Sequence, residues 1–106
     1  MDKITVLEII ERFRKILESK NVKINKIILY GSYAKENYHE SSDIDVIVMS
    51  RDFAPMDYWT RIDLLSEAIY EIFEPIEAVS FTPEEWETSD SFLVDYARNG
   101  EVVYAA

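Results

Sequence analysis

One hundred and six residues, 48 % of them hydrophobic, are enough for one small domain with a core of its own. A formal net charge of -10 repels nucleic acid and anionic membrane, which argues against broad DNA binding. It favours a nucleotide that arrives with metal, or a basic protein partner. The absence of cysteine excludes disulfides, thiolate metal sites and thiol catalysis. With no signal peptide and no apolar run of membrane-spanning length, a soluble, cytoplasmic, single-domain chain (1–106) is expected.

Thr5-Val6-Leu7-Glu8 reads as a capping box opening a helix, with Val6, Ile10, Phe13 and Leu17 recurring on one face. The helix fades near Ser19-Lys20-Asn21. The run Ile24 to Tyr30 is β-branched and aromatic, as a buried strand is. A second strand, Ile44 to Met49, follows a polar stretch. A connection from Ser50 leads to a helix expected to start near Pro55 or Met56, with Ile62, Leu65, Ile69 and Ile72 as its buried stripe, stopped by Pro75. Ile76 to Phe81 is a third strand. Thr82-Pro83-Glu84-Glu85 opens a helical turn. A last helix from about Ser89 to Arg98 is expected to bury some of Phe92, Leu93, Tyr96 and Ala97, with Gly100 as its C-cap. Val102-Val103-Tyr104 is too short to assign. The order α-β-α-β-α-β-α predicts an α/β (α+β) fold, a small mixed sheet of about three strands covered by helices.

The chemistry concentrates where the first two strands meet. The first ends in Gly31-Ser32, and the second opens with Asp43-Ile44-Asp45. Residues two apart on a strand share a face, so Asp43 and Asp45 project together. Two like charges about 4 Å apart repel by roughly 4 kcal/mol at an effective dielectric near 20. Hard divalent cations such as Mg²⁺ remove that cost and are completed by substrate phosphates. Gly31 permits close backbone approach, and a helix starting at Ser32 would turn free N–H groups toward an anion. Metal carboxylates beside a phosphate cradle point to phosphoryl or nucleotidyl transfer by a two-metal clamp.

Gly31-Ser32, ten residues, then Asp43-Ile44-Asp45 resembles the signature of the DNA polymerase β-like nucleotidyltransferases. The chain's small size and its ending, Asn99-Gly100-Glu101-Val102-Val103-Tyr104, resemble the minimal nucleotidyltransferase branch, many of whose members are antitoxins paired with HEPN toxins. The resemblance implies the nucleotidyltransferase fold, two Mg²⁺ ions, and ATP or another nucleoside triphosphate as substrate. It implies Gly31 and Ser32 at the phosphates. It also makes Glu77, the acid inside the third strand, the third metal carboxylate, at a position where the family usually has Asp. Lys35 keeps a basic position of the motif, but the glycine that usually follows it is here Glu36.

Each of these residues has a plainer reading. Ser32 can simply cap a helix, Lys35 can be a solvated lysine, and Glu77 an exposed strand residue. His39, alone in a polar loop with Tyr38, Glu40 and Ser41, is taken as a loop residue. Tyr38, Tyr58 and Trp59 receive no assignment, and Glu84, Glu85, Glu87 and Asp90 are taken as a solvated acidic face. The favoured activity moves a nucleoside monophosphate, AMP by resemblance, to an acceptor hydroxyl. Without length for an acceptor-binding domain, the acceptor surface must come from a partner protein, a HEPN toxin by resemblance, or from a second copy. The alternatives are a catalytically degenerate antitoxin acting by stoichiometric contact, and a small-molecule nucleotidyltransferase working as a dimer.

Overall fold

The computed structural model describes residues 1–39 and 42–106; Glu40 and Ser41 of the expected polar loop lie outside the described residues. The elements in chain order are α1 (Lys3–Ser19), β1 (Lys26–Tyr30), α2 (Ser32–Lys35), β2 (Ile44–Met49), α3 (Tyr58–Ile72), β3 (Ile76–Phe81), α4 (Pro83–Thr88), α5 (Phe92–Ala97) and β4 (Glu101–Ala105). The sheet has the order β3-β2-β1-β4. β1 pairs antiparallel with both β2 and β4, and β2 pairs parallel with β3. The parallel pair is joined by α3, as a crossover must be.

Burial alternates across this sheet. Val6, Ile10, Phe13 and Leu17 of α1 pack with Ile27 and Leu29 of β1 and with Ile44, Val46 and Val48 of β2, and α3 adds Leu65, Ala68 and Ile72. The opposite face holds Ile28, Tyr30, Ile47 and Met49 under Trp86 of α4 and Val94 and Ala97 of α5. Both faces of β1 and β2 are therefore covered, which explains their nearly unbroken apolar runs. Asp45 is the one polar interruption within β2, and it lies on the second face.

Several expectations are corrected. The sheet has four strands where about three were expected: Glu101–Ala105 is short, but it pairs along β1 through a register shift between Ile27 and Ile28. The Arg14 guanidinium over the Tyr104 ring, 4.4 Å from its centroid, fastens this strand to α1. α1 begins at Lys3, before the expected box, because Asp2 accepts the Thr5 N–H at 2.8 Å. The earlier start brings Lys3 within 2.8 Å of Glu101. α3 begins at Tyr58, after Pro55, because Asp57 accepts the Thr60 N–H at 2.7 Å. On α3 the buried positions are Leu65, Ala68 and Ile72, while Ile62 and Ile69 are half-buried.

Glu85 is not simply solvated. It completes the Thr82 capping box and binds Arg61 through both carboxylate oxygens, at 2.8 and 3.1 Å. α5 is shorter than expected, capped by Ser91, and leaves Phe92 85 % exposed.

Gly100 is also not a left-handed cap, since α5 ends at Arg98 in a right-handed conformation. What holds the position to glycine is space: a Cβ there would stand 2.6 Å from the Leu29 carbonyl oxygen and 2.8 Å from Ile28 Cγ2. Gly100→Ala should therefore cost about 1–3 kcal/mol, the usual range for overpacking a fixed backbone. Urea denaturation reads this directly, and an unchanged midpoint would show that β4 shifts freely against β1.

Candidate active site

The site forms where β1 ends and β2 and β3 begin. Antiparallel pairing sets Tyr30 opposite Asp45, and parallel pairing sets Asp45 opposite Glu77. All three side chains belong to the second face, and Asp43 stands two residues before Asp45, exposed at the lip of the strand. The three carboxylates expected from the sequence therefore gather at one corner of the sheet.

Gly31 is fitted to that corner. Its φ of +73° is one that L side chains rarely adopt, and a Cβ there would overlap the Asp45 carboxylate and stand 3.3 Å from its Cγ. The turn after β1 thus reaches Asp45 only because residue 31 has no side chain. Gly31 itself is the N-cap of α2, with no side chain to bond the helix, and Ser32 is the first helical residue. The Ser32 hydroxyl does not cap. As at any helix start, the N–H groups of this first turn lack intrahelical acceptors.

The electrostatics show what the corner lacks. Burial, then the negative charge of Glu77, a hydrogen bond shared with it, and the charge of Asp43 raise the Asp45 pKa from 3.8 to about 6. Tyr30 is pushed up to about 12, first by burial and then by Asp45, Glu77 and Tyr96, so its phenol stays neutral. The nearby cation is Lys35, but its ammonium is engaged by Tyr96, 3.4 Å from the hydroxyl and 4.5 Å from the ring centroid.

This donor set of hard oxygens with uncompensated negative charge suits Mg²⁺, which takes one or two carboxylates together with phosphates and water. Among the described residues no group of three or more His, Cys, Asp or Glu side chains is arranged to hold a metal ion by itself. His39 is an exposed loop residue whose N–H donates to Ser42 Oγ at 2.9 Å.

The sequence reading missed Tyr30 and Tyr96. Their rings meet edge to face, centroids 5.9 Å apart, beside Gly31 and Lys35. Tyr30 was detectable as the residue next to Gly31 on the face Asp45 shares; Tyr96 was expected only as a candidate buried residue of α5, and it is 42 % exposed.

The residue after Lys35 also acquires a physical meaning. Glu36 closes α2 in the left-handed region, φ 60° and ψ 25°, where glycine is the unstrained choice.

Comparison with known proteins agrees with this geometry. The sequence family described as "Polymerase beta, Nucleotidyltransferase" matches residues 11–106. The chain belongs to the polymerase β-type nucleotidyltransferase family. It is also similar to three proteins of Methanocaldococcus jannaschii that carry the name "putative protein adenylyltransferase". One is 33 % identical over 98 residues, covering 90 % of this chain and 94 % of that protein. The other two are each 38 % identical, over 48 and 60 residues, or 44 % and 57 % of this chain. The match spans about half the length of those two relatives, 48 % and 52 %.

Among solved structures, a "putative nucleotidyltransferase" of Sulfolobus solfataricus superposes with a TM-score of 0.73 at 16 % identity, covering 97 % of this chain and 83 % of that one. A toxin–antitoxin complex with AMP-PNP gives 0.65 at 22 % identity, covering 91 % and 73 %. A Shewanella oneidensis complex of a tri-AMPylated HEPN toxin with its MNT antitoxin gives 0.61 at 19 % identity, covering 98 % and 73 %. At these identities the likeness speaks to the fold alone, and it is the nucleotidyltransferase fold.

Two predictions follow from this geometry. Because Asp45 is held near 6, the folded protein keeps a proton that the unfolded chain has already lost between pH 4 and 6. Stability from this group is therefore lost as pH rises through that window, and the full cost is present above it. Asp45→Asn should exceed wild type by about 1–2 kcal/mol at pH 7.5, after allowance for solvent screening, and match it near pH 4. Denaturation at both pH values tests this; a gap that widens toward acid contradicts it. Glu36→Gly should gain about 1–2 kcal/mol, the cost of a left-handed side-chain residue, seen as a higher melting temperature. A drop would mean that the Glu36 side chain contributes more than its backbone strain costs.

Proposed function

We propose that this chain is a Mg²⁺-dependent protein adenylyltransferase that moves AMP from ATP to a hydroxyl on a partner protein, releasing pyrophosphate. The observation that carries the reading is Asp45 set across parallel strands from Glu77, with a turn that approaches it only through Gly31. The names of the relatives similar to it and the toxin–antitoxin structures that share its fold support the choice of AMP and of a protein acceptor. The acceptor proposed is a HEPN-type toxin, which makes this chain an antitoxin acting in the cytoplasm.

Asp43, Asp45 and Glu77 are the residues that would hold Mg²⁺, two ions in this reading. Bound there, the metal supplies charge neutralisation and alignment for the transferring phosphoryl group. The rest is the chain's own work. Gly31 lets the backbone come close to the phosphates, and Ser32 offers a hydroxyl and an unpaired N–H at the same place. Lys35 balances phosphate charge, on leaving Tyr96. Glu77 lies exposed on an edge strand, so it is the carboxylate an incoming acceptor meets first, and it is placed to take the hydroxyl's proton.

A second reading, a binder that neutralises its partner by contact alone, is favoured by one observation. Tyr70 and Phe73 stand 83 % and 88 % exposed three residues apart at the end of α3. Exposed aromatics of that size suit a protein interface. The two readings part at Asp45. Intact mass of the partner after incubation with ATP and Mg²⁺ should show added AMP with wild type and none with Asp45→Asn, which keeps the side chain's volume. Transfer should fall by orders of magnitude, since the clamp depends on that ligand. Tight complex formation with no adduct from either protein would leave the binder.

A further inference from the structure

Beside the carboxylates lies a small cleft that the proposed transfer does not account for. Tyr30, Gly31, Lys35, Tyr96, Asn99 and Gly100 line it, and it encloses about 40 Å³, room for a water and not for a ligand ring. One side chain closes it. The Lys35 ammonium lies 4.5 Å from the Tyr96 ring centroid and 3.4 Å from the Tyr96 hydroxyl, covering part of a ring that is still 42 % exposed. Tyr96 is held on another side by Tyr30, the register partner of Asp45. Its ring is thus anchored to the catalytic corner and screened by a long, flexible cation.

Lys35 and Gly31 belong to this cleft and to the phosphate side of the site at once. A lysine resting on an exposed aromatic ring is weakly held, whereas a charge-assisted bond to phosphate is among the strong ones. An arriving triphosphate therefore draws the ammonium off the ring, and the face it leaves lies next to the phosphates. Nothing else among the described residues pairs an accessible aromatic ring with a removable cover in this position. Tyr58 and Trp59 are more exposed, but they sit at the start of α3 and pack on each other.

Resting on the transferase reading above, we infer that this cleft is the nucleobase subsite, with Tyr96 as its stacking platform and Lys35 as the gate that phosphate binding opens. Stacking on an aromatic ring is tolerant of base identity. Selection comes from Asn99 at the rim, whose amide offers a donor and an acceptor together, the pattern that meets adenine at its N6 and N7. Gly100 keeps the β4 backbone against β1, so the cleft's floor is rigid.

The test compares, by calorimetric titration with Mg²⁺ present, tripolyphosphate, ATP and GTP on the whole chain. Tripolyphosphate reports the phosphate side alone. Wild type should bind ATP about tenfold or more tighter than tripolyphosphate, in line with one stacked base. Tyr96→Leu should lose most of that difference while binding tripolyphosphate as well as wild type or better, because Lys35 is released. Tyr96→Phe should restore the ATP preference. Asn99→Ala should bring ATP and GTP together without touching tripolyphosphate. Equal affinity of wild type for ATP and tripolyphosphate, or parallel weakening of both in Tyr96→Leu, overturns the subsite and leaves the phosphate site standing. If wild type binds neither ligand with Mg²⁺, the transferase reading fails, and the subsite with it.

Discussion

The parallel register that puts Asp45 opposite Glu77 is the constraint on which the rest of the molecule turns. Two carboxylates side by side on a part-buried strand work against folding, as the raised Asp45 pKa records. A sheet this small holds them together only because the opposite face of the same strands is dense. Ile44 and Val46, on either side of Asp45, are fully buried against α1 and α3. The fold thus maintains at one corner an unfavourable charge arrangement, offset by the packing beneath it.

The same register explains why the chain enters the site as it does. Tyr30 faces Asp45 across β1 and β2, so the residue after it must turn away at the level of the carboxylate. Any side chain at that point would collide with Asp45, which leaves glycine. The turn, the short helix behind it and the position of Lys35 all descend from that one close approach. Lys35 comes to lie over Tyr96 because α5, across the sheet face from α1 and α3, packs on β1 at the same end. The Gly31 turn and the aromatic cleft are neighbours for a topological reason.

Much of this was legible in the sequence, and most of what was not shares a cause. The stripe Val6, Ile10, Phe13 and Leu17 and the paired strands around Gly31-Ser32 and Asp43-Ile44-Asp45 follow from periodicity and chemistry that are local to each segment. The start of α1 was misplaced because Asp2 and Thr5 are both good caps, and it is Asp2 that accepts the Thr5 N–H. The fourth strand is decided by pairing with β1 and by Arg14 on Tyr104, neither of which a five-residue run announces. Gly100 looked like a cap and is instead a clearance for the Leu29 carbonyl. Tyr96 was expected only as a candidate buried residue of α5; that it stays exposed and meets Tyr30 depends on what α5 is laid against. Tertiary contact decided the last three of these cases.

The two faces of the sheet also differ in a way that bears on function. α1 and α3, with 17 and 15 residues, pack over one face. The other is covered by α4 and α5, six residues each, which reach Ile28, Tyr30, Ile47 and Met49. Helices of that length contribute little stability by themselves and hold their place through packing. Asp43 and Glu77 therefore stay exposed and Asp45 half-buried, reachable from the α2 side and from the β3 edge of the sheet. On a chain of 106 residues, thin cover on one sheet face is what leaves this corner accessible.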